Sequence, residues 1–291
     1  MKSSIPSAVA VALASLTVAA GVAWAGGQGS AHVAGLPVLA WCALLSFAVN
    51  WVAFVPAWAA RTERYYDLVG SLTYLGTLVC TVVLVKPDPR GALLAGLAAI
   101  WASRLGTFLF RRIHRAGSDR RFDEVKQDFG QFFIAWTLQA LWVFLTLACA
   151  LTAMTSTAPA PLGAWAAIGI AIWLFGFTVE IVADSQKSAF RRDPQNADRF
   201  IDTGLWSWSR HPNYFGEFVL WTGVAVIAWP VLSGWAHVTL VSPLFVFLLL
   251  TRMSGVPPLE RRAEEKWGDD PRFRAYVERT PRFWLRPPSR G

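Results

Sequence analysis

FFIAWTLQALWVFLTLACALTA, Phe132 to Ala153, runs for twenty-two residues without an aspartate, glutamate, lysine or arginine. That is the length a helix needs to cross a hydrocarbon core about 30 Å thick. The run lacks the two-residue alternation of a membrane β-strand, so a helix is the structure that satisfies its backbone in lipid. Working outward, comparable blocks lie near Ile5 to Trp24, Val38 to Ala60, Leu68 to Val85, Ala92 to Phe110, Leu162 to Ala183, Tyr214 to Val231 and Gly234 to Thr251. A composition of 54% hydrophobic and 16% charged residues agrees with them,. The pattern predicts an all-α, polytopic membrane helical bundle of seven core transmembrane helices plus one N-terminal helix or signal-like segment. Lys2, an alanine-rich core and the Ala-Trp-Ala triplet at 23–25 give residues 1–30 that second reading,. Residues 31–291 read as a single transmembrane domain with a cytoplasmic C-terminal cap from about 255.

The formal charge of +8 would suit nucleic acid, but the cations lie in short loops between apolar blocks, where they orient a membrane protein and meet anionic lipid,. No nucleic-acid partner is expected. Six arginines or lysines fall between Arg111 and Lys126, and five between Lys187 and Arg210. None falls between Thr155 and Pro161 or between Leu232 and His237. The positive-inside rule therefore puts the basic loops and the C-terminus in the cytoplasm. Lys86 and Arg90 alone oppose that count. Cys42, Cys80 and Cys149 stand far apart inside apolar blocks and read as small buried hydrophobes, with no metal site,.

Three polar constellations interrupt the apolar pattern at or near span ends, where ionisable groups are costly enough to need a reason. In Glu180-Ile-Val-Ala-Asp184-Ser-Gln-Lys187-Ser-Ala-Phe-Arg191, positions 180, 184, 187 and 191 share one helix face,. The stripe reads either as stabilising ion pairs or as carboxylate and guanidinium groups for a polyhydroxy, polyphosphate ligand. GLWSWSRHPNYFGE, Gly204 to Glu217, opens the next span. Pro212 suits a first helical turn, Asn213 and Glu217 then stand at i and i+4, and Arg210 and His211 precede the helix where anions are favoured. Arg104 and Arg111 share a face of an earlier helix and suit either phosphate or anionic lipid. No P-loop, GxGxxG, HExxH or GxSxG occurs in a usable context.

These residues resemble the steroid 5α-reductase superfamily, in its bacterial branch of unknown function (DUF1295; 3-oxo-5-alpha-steroid 4-dehydrogenase C-terminal-like). The resemblance runs from about Asp67 to the C-terminus. Its most specific parts are ADSQKSAFR (183–191), GLWSWSRHPNYFGE (204–217) and PPLERRAEEKWG (257–268) with FRAY (273–276). It implies a bacterial inner-membrane protein that binds NADPH at its cytoplasmic side and passes hydride to a C=C beside a carbonyl of a lipophilic, steroid-like or other lipid substrate. The resemblance carries the cofactor's amide and sugar contacts to Glu180, Asp184, Asn213 and Glu217, and its phosphates to Arg104 and Arg191. Arg210, His211 and Tyr214 complete the expected cofactor set. Glu180 departs from the pattern, since the reductases often have asparagine there.

The family polarises the substrate carbonyl with a glutamate on an early helix and a tyrosine shortly before the arginine that matches Arg104. Trp101 holds the tyrosine's place and cannot deliver a proton. Tyr66, Asp67 and Tyr74 are the alternative acids, each with an ordinary helix-end role as its competing explanation. Two rival functions remain. Arg210 to Gly216 also fits the Arg-His-Pro-x-Tyr-x-Gly stretch of isoprenylcysteine and phospholipid methyltransferases, which use S-adenosylmethionine. A non-catalytic lipid-binding or transport protein could keep the same scaffold.

Overall fold

The computed structural model describes residues 5–116 and 119–288, so Lys2 lies outside them. Its helices are α1 (Ile5–Gly26), α2 (Val38–Ala59), α3 (Tyr66–Val85), α4 (Pro89–Ala116), α5 (Phe129–Thr155), α6 (Ala164–Arg192), α7 (Pro212–Ala228), α8 (Val241–Leu248), α9 (Val256–Trp267) and α10 (Pro271–Arg279). Among the described residues, eight helical segments are long and apolar enough to cross a membrane. The all-helical, multi-pass reading is therefore borne out.

Local chemistry sets the helix ends. Asp128 caps α5 by accepting from the Gln131 amide at 2.9 Å, and Asp88 accepts from Gly91 N at 2.8 Å beside Pro89 in the first turn of α4,. Lys86 leaves α3 with φ 48° and is followed by Pro87,. One short hairpin, β1 (His32–Val33) with β2 (Leu36–Pro37), departs from helix. Ala34 and Gly35, with φ 50° and 80°, supply the positive-φ pair that a two-residue hairpin turn requires,. The expected last span is not one regular helix. Its stretch contains a 3₁₀ segment at Gly234–Leu240, then α8, then a π turn at Leu249–Met253.

Contacts gather the chain into two compact units, Met1–Trp165 with Ile227–Ser242 and Ala166–Val226 with Pro243–Gly291. In the first, α5 is central: 67% of its apolar window is buried, against 39% for α1, α3 and α4. The small side chains Ala8, Ala12, Ser15 and Ala19 let α1 pack closely along α5,. A polar string threads the apolar interior of this unit. Gln139 Nε2 donates to Asn50 Oδ1 and Tyr66 O, both at 3.0 Å, and Asn50 Nδ2 donates to Ser46 O at 2.9 Å. With no water in the hydrocarbon, those groups must satisfy one another.

Arg90 explains half of the charge exception. It is only 2% exposed, and its guanidinium donates to Ile227 O at 2.6 Å and Pro161 O at 2.7 Å. It is therefore a buried bracket between backbone segments, not a surface charge facing lipid headgroups.

In the second unit, α6 and α7 meet through glycine. A Cβ on Gly216 would lie 2.6 Å from Gly176 O and 2.7 Å from Glu180 N, and one on Gly223 would lie 2.7 Å from both Gly169 O and Trp173 N. Gly169 and Gly176 on α6 thus face Gly216 and Gly223 on α7, each pair seven residues apart. Two backbones can approach this closely only where side chains are missing. Below them, Phe283 and Trp284 pack on Phe215, Phe218 and Phe247, fastening the chain's last segment to this unit.

Candidate functional site

The continuous α6 keeps Glu180, Asp184, Lys187 and Arg191 on one face, and α7 starts at Pro212 so that Asn213 and Glu217 follow one turn apart,. The glycine crossing brings the two faces together. Glu180, Asp184 and Glu217 are 2%, 8% and 7% exposed, and Asn213 Nδ2 donates to Asp184 Oδ1 at 3.3 Å. Such a set accepts hydrogen bonds from hydroxyl and amide groups and offers amide donors in return. Arg191 lies exposed in the last turn of α6.

The segment before α7 is built rather than loose. Trp206 Nε1 donates to Ala183 O at 3.0 Å, the Lys187 ammonium sits 4.3 Å from the Trp206 ring centroid, and Tyr276 OH donates to Trp206 O at 2.8 Å. Arg210 and His211 converge on Glu260 of α9, at 2.9 Å and 3.2 Å, and Arg282 reaches its other oxygen at 3.2 Å. His211 also stacks on Tyr214, with ring centroids 5.8 Å apart and planes 9° apart. Glu260 and Arg282 were missed in the sequence. The PPLERRAEEKWG motif holds several acids, and nothing in their spacing says which one turns back to α7.

Burial holds the His211 imidazole below its ordinary pKa, a pull that Lys187 and Arg210 reinforce and Glu260 opposes. A depressed histidine contributes stability that is full above about pH 6.5, its unfolded value, and is lost as pH falls through the lower folded value. Thermal melts between pH 7.5 and 5 should show that loss for the wild type, and His211→Asn should flatten this part of the profile. Superimposable profiles would remove His211 from the account.

The three expected acids and Arg104 belong to the first unit. Tyr66 is half-buried between Phe122 and Trp136, and its hydroxyl donates to Ala135 O at 2.9 Å. Asp67 pairs with Arg121 at 3.3 Å and Arg112 at 3.7 Å. Both arginines also reach Asp119. Nearby, Glu63 takes Lys126 at 2.7 Å and the Asp119 amide at 2.9 Å, so an ionic web fastens the segment between α4 and α5. Burial raises the Glu63 carboxyl, but Lys126 and the Asp119 amide outweigh it and hold the pKa below the usual range,. Tyr74 is buried edge-on against Trp101, with centroids 5.2 Å apart. Arg104 follows on α4, its guanidinium 6.0 Å from the Phe108 ring. Among the described residues, no cluster of three or more His, Cys, Asp or Glu is placed to hold a metal ion.

The chain is 26% identical over 277 residues to an uncharacterized protein of Schizosaccharomyces pombe, covering 84% of this chain and 78% of the yeast protein. It is 30% identical over 106 residues to the 3-oxo-5-alpha-steroid 4-dehydrogenase 1 of Bos taurus, covering 36% of this chain and 38% of the bovine one. No solved structure matches significantly. Residues 53–280, which include every expected site residue, match the profile described as Protein of unknown function (DUF1295). The chain belongs to that family, which is part of the steroid 5-alpha-reductase family.

Proposed function

We propose that the protein is a membrane-embedded, NADPH-dependent reductase acting on an activated C=C, an enone or enoyl group, of a lipophilic substrate that arrives from the bilayer. The observation that carries this reading is the set of three buried carboxylates with Asn213 on α6 and α7. Ionisable groups at such positions mark function in membrane helices. The name of the bovine relative supports the reaction class.

The donor set suits the cofactor. Carboxylates of Glu180, Asp184 and Glu217 would take its sugar hydroxyl and amide hydrogens, and Asn213 can donate and accept. On the family resemblance, Arg104 and Arg191 are assigned to its phosphates, with Arg210, His211 and Tyr214 shaping the approach. When bound, NADPH supplies hydride. The chain's own tasks are to hold the substrate carbonyl, exclude water and place a proton donor where negative charge develops. Tyr66, Asp67 and Tyr74 stay the candidate donors; Tyr66 also bonds Ala135 O, Asp67 pairs with two arginines, and Tyr74 touches the tryptophan standing in the family tyrosine's place. We place this site and the C-terminus on the cytoplasmic side, following the basic loops.

Thermal shift of the purified protein with NADPH and with S-adenosylmethionine tests the reading. NADPH should stabilise it, and Asn213→Ala or Glu217→Ala should weaken NADPH binding by about tenfold or more, the worth of a hydrogen bond to a charged group. Stabilisation by S-adenosylmethionine alone would replace a reductase with a methyltransferase. A response to neither would leave a lipid-binding or transport protein.

A further inference from the structure

The second unit holds a cavity of about 250 Å³ lined by Phe247, Thr251, Arg252, Val256, Arg282 and Phe283. None of these residues belongs to the cofactor set named above. The chain changes pitch beside the cavity. Ser254 N bonds back to Leu249 O at 3.0 Å, the i to i+5 step of a π turn, and a Cβ on Gly255 would run into Leu250 O. The tight return carries the chain from α8 into α9. Thr251 and Arg252 lie on the π turn itself, a feature that recurs at functional sites,.

The charged groups beside the cavity give it a sign. Glu260 is one carboxylate shared by Arg210, Arg282 and His211. Arg252, on the cavity wall, makes no ion pair among the described residues. With His211 neutral, three guanidiniums stand against one carboxylate, a surplus of two positive charges beside a partly apolar hollow. Guanidinium forks match phosphate oxygens, and the walls of Phe247, Val256 and Phe283 offer apolar contact to whatever carries the phosphate. Whole-ligand pockets run from roughly 300 to 1,000 Å³. A cavity of about 250 Å³ therefore takes one end of a ligand.

We propose that this cavity is a phosphate subsite, with Arg252 and Arg282 gripping a phosphate whose bearer packs on Phe247 and Phe283. Two bearers share that chemistry: the phosphate that distinguishes NADPH from NADH, and the headgroup of an anionic lipid. The first source rests on the reductase reading; the second does not.

The test compares Arg252→Gln with Arg261→Gln, an exposed α9 residue paired at 3.8 Å with Glu265 and absent from the cavity wall. Each variant is titrated with NADPH and with NADH in neutral detergent. Each is also melted in nanodiscs of phosphatidylcholine with and without phosphatidylglycerol. A tenfold or greater loss of NADPH affinity in Arg252→Gln, with NADH unchanged and partial rescue by Arg252→Lys, assigns the dinucleotide phosphate. A phosphatidylglycerol stabilisation present in the wild type and Arg261→Gln but lost in Arg252→Gln assigns the lipid. If Arg252→Gln matches Arg261→Gln in every arm, the subsite is overturned. If the wild type ignores NADPH altogether, the reductase reading falls while the lipid arm still decides the cavity.

Discussion

Arg90→Ala should cost the protein about 3 kcal/mol or more. Its guanidinium makes two hydrogen bonds to carbonyls, of Ile227 and Pro161, and bonds from charged donors are worth about 1.5–3 kcal/mol each,. Truncation leaves both carbonyls without that donor in a place where Arg90 itself is 2% exposed. On the order of 2–4 °C per kcal/mol, the melting temperature should fall by roughly 6–12 °C. Arg90→Lys should recover only part of this, because a single ammonium lacks the fork that spans two acceptors. A melting temperature within a degree of wild type would mean that the bracket carries no weight.

The second large effect belongs to the α6–α7 crossing. In Gly216→Val the new side chain would meet Gly176 O and Glu180 N, both backbone atoms that no rotamer change can move. The helices must separate, at a cost of about 1–3 kcal/mol for overpacking. The loss extends to binding, because separation also pulls Asn213 away from Asp184, 3.3 Å distant. NADPH-dependent stabilisation should therefore vanish in this variant. Gly76→Ala is the matched control: a Cβ there meets nothing within 4 Å, and alanine in a helix interior gains about 0.5–1 kcal/mol over glycine,. Equal melting temperatures and equal NADPH responses in the two variants would refute the close-approach argument.

The long helices were legible because a membrane span is a local property. Twenty or so apolar residues state it without reference to the rest of the chain. The placement of Glu180 with Asp184 on one helix face and of Asn213 with Glu217 on another was legible for the same reason, since helix geometry turns spacing into direction. What escaped depends on partners far along the chain. Glu260 meets His211 across 49 positions, and Gln139 meets Asn50 across 89. In each pair one residue looks like an isolated polar side chain until the other is in place. The glycine crossing escaped because its glycines stand seven apart in two separate runs, and only packing shows that the pairs face each other. The pitch changes around α8 escaped because apolar composition marks a span without specifying how its backbone winds.

Arg90 also has a consequence in time. It is made 137 residues before Ile227, whose carbonyl it needs. At synthesis rates of 5–20 residues per second, α4 waits on the order of 7–27 s before that acceptor exists. For the first 71 residues of that stretch the newborn protein holds a cation at the end of a span with neither acceptor made, and for the rest with Pro161 O alone. The first unit therefore cannot close until residues 227–242 have been delivered, so a late step of its assembly is written into the order of translation.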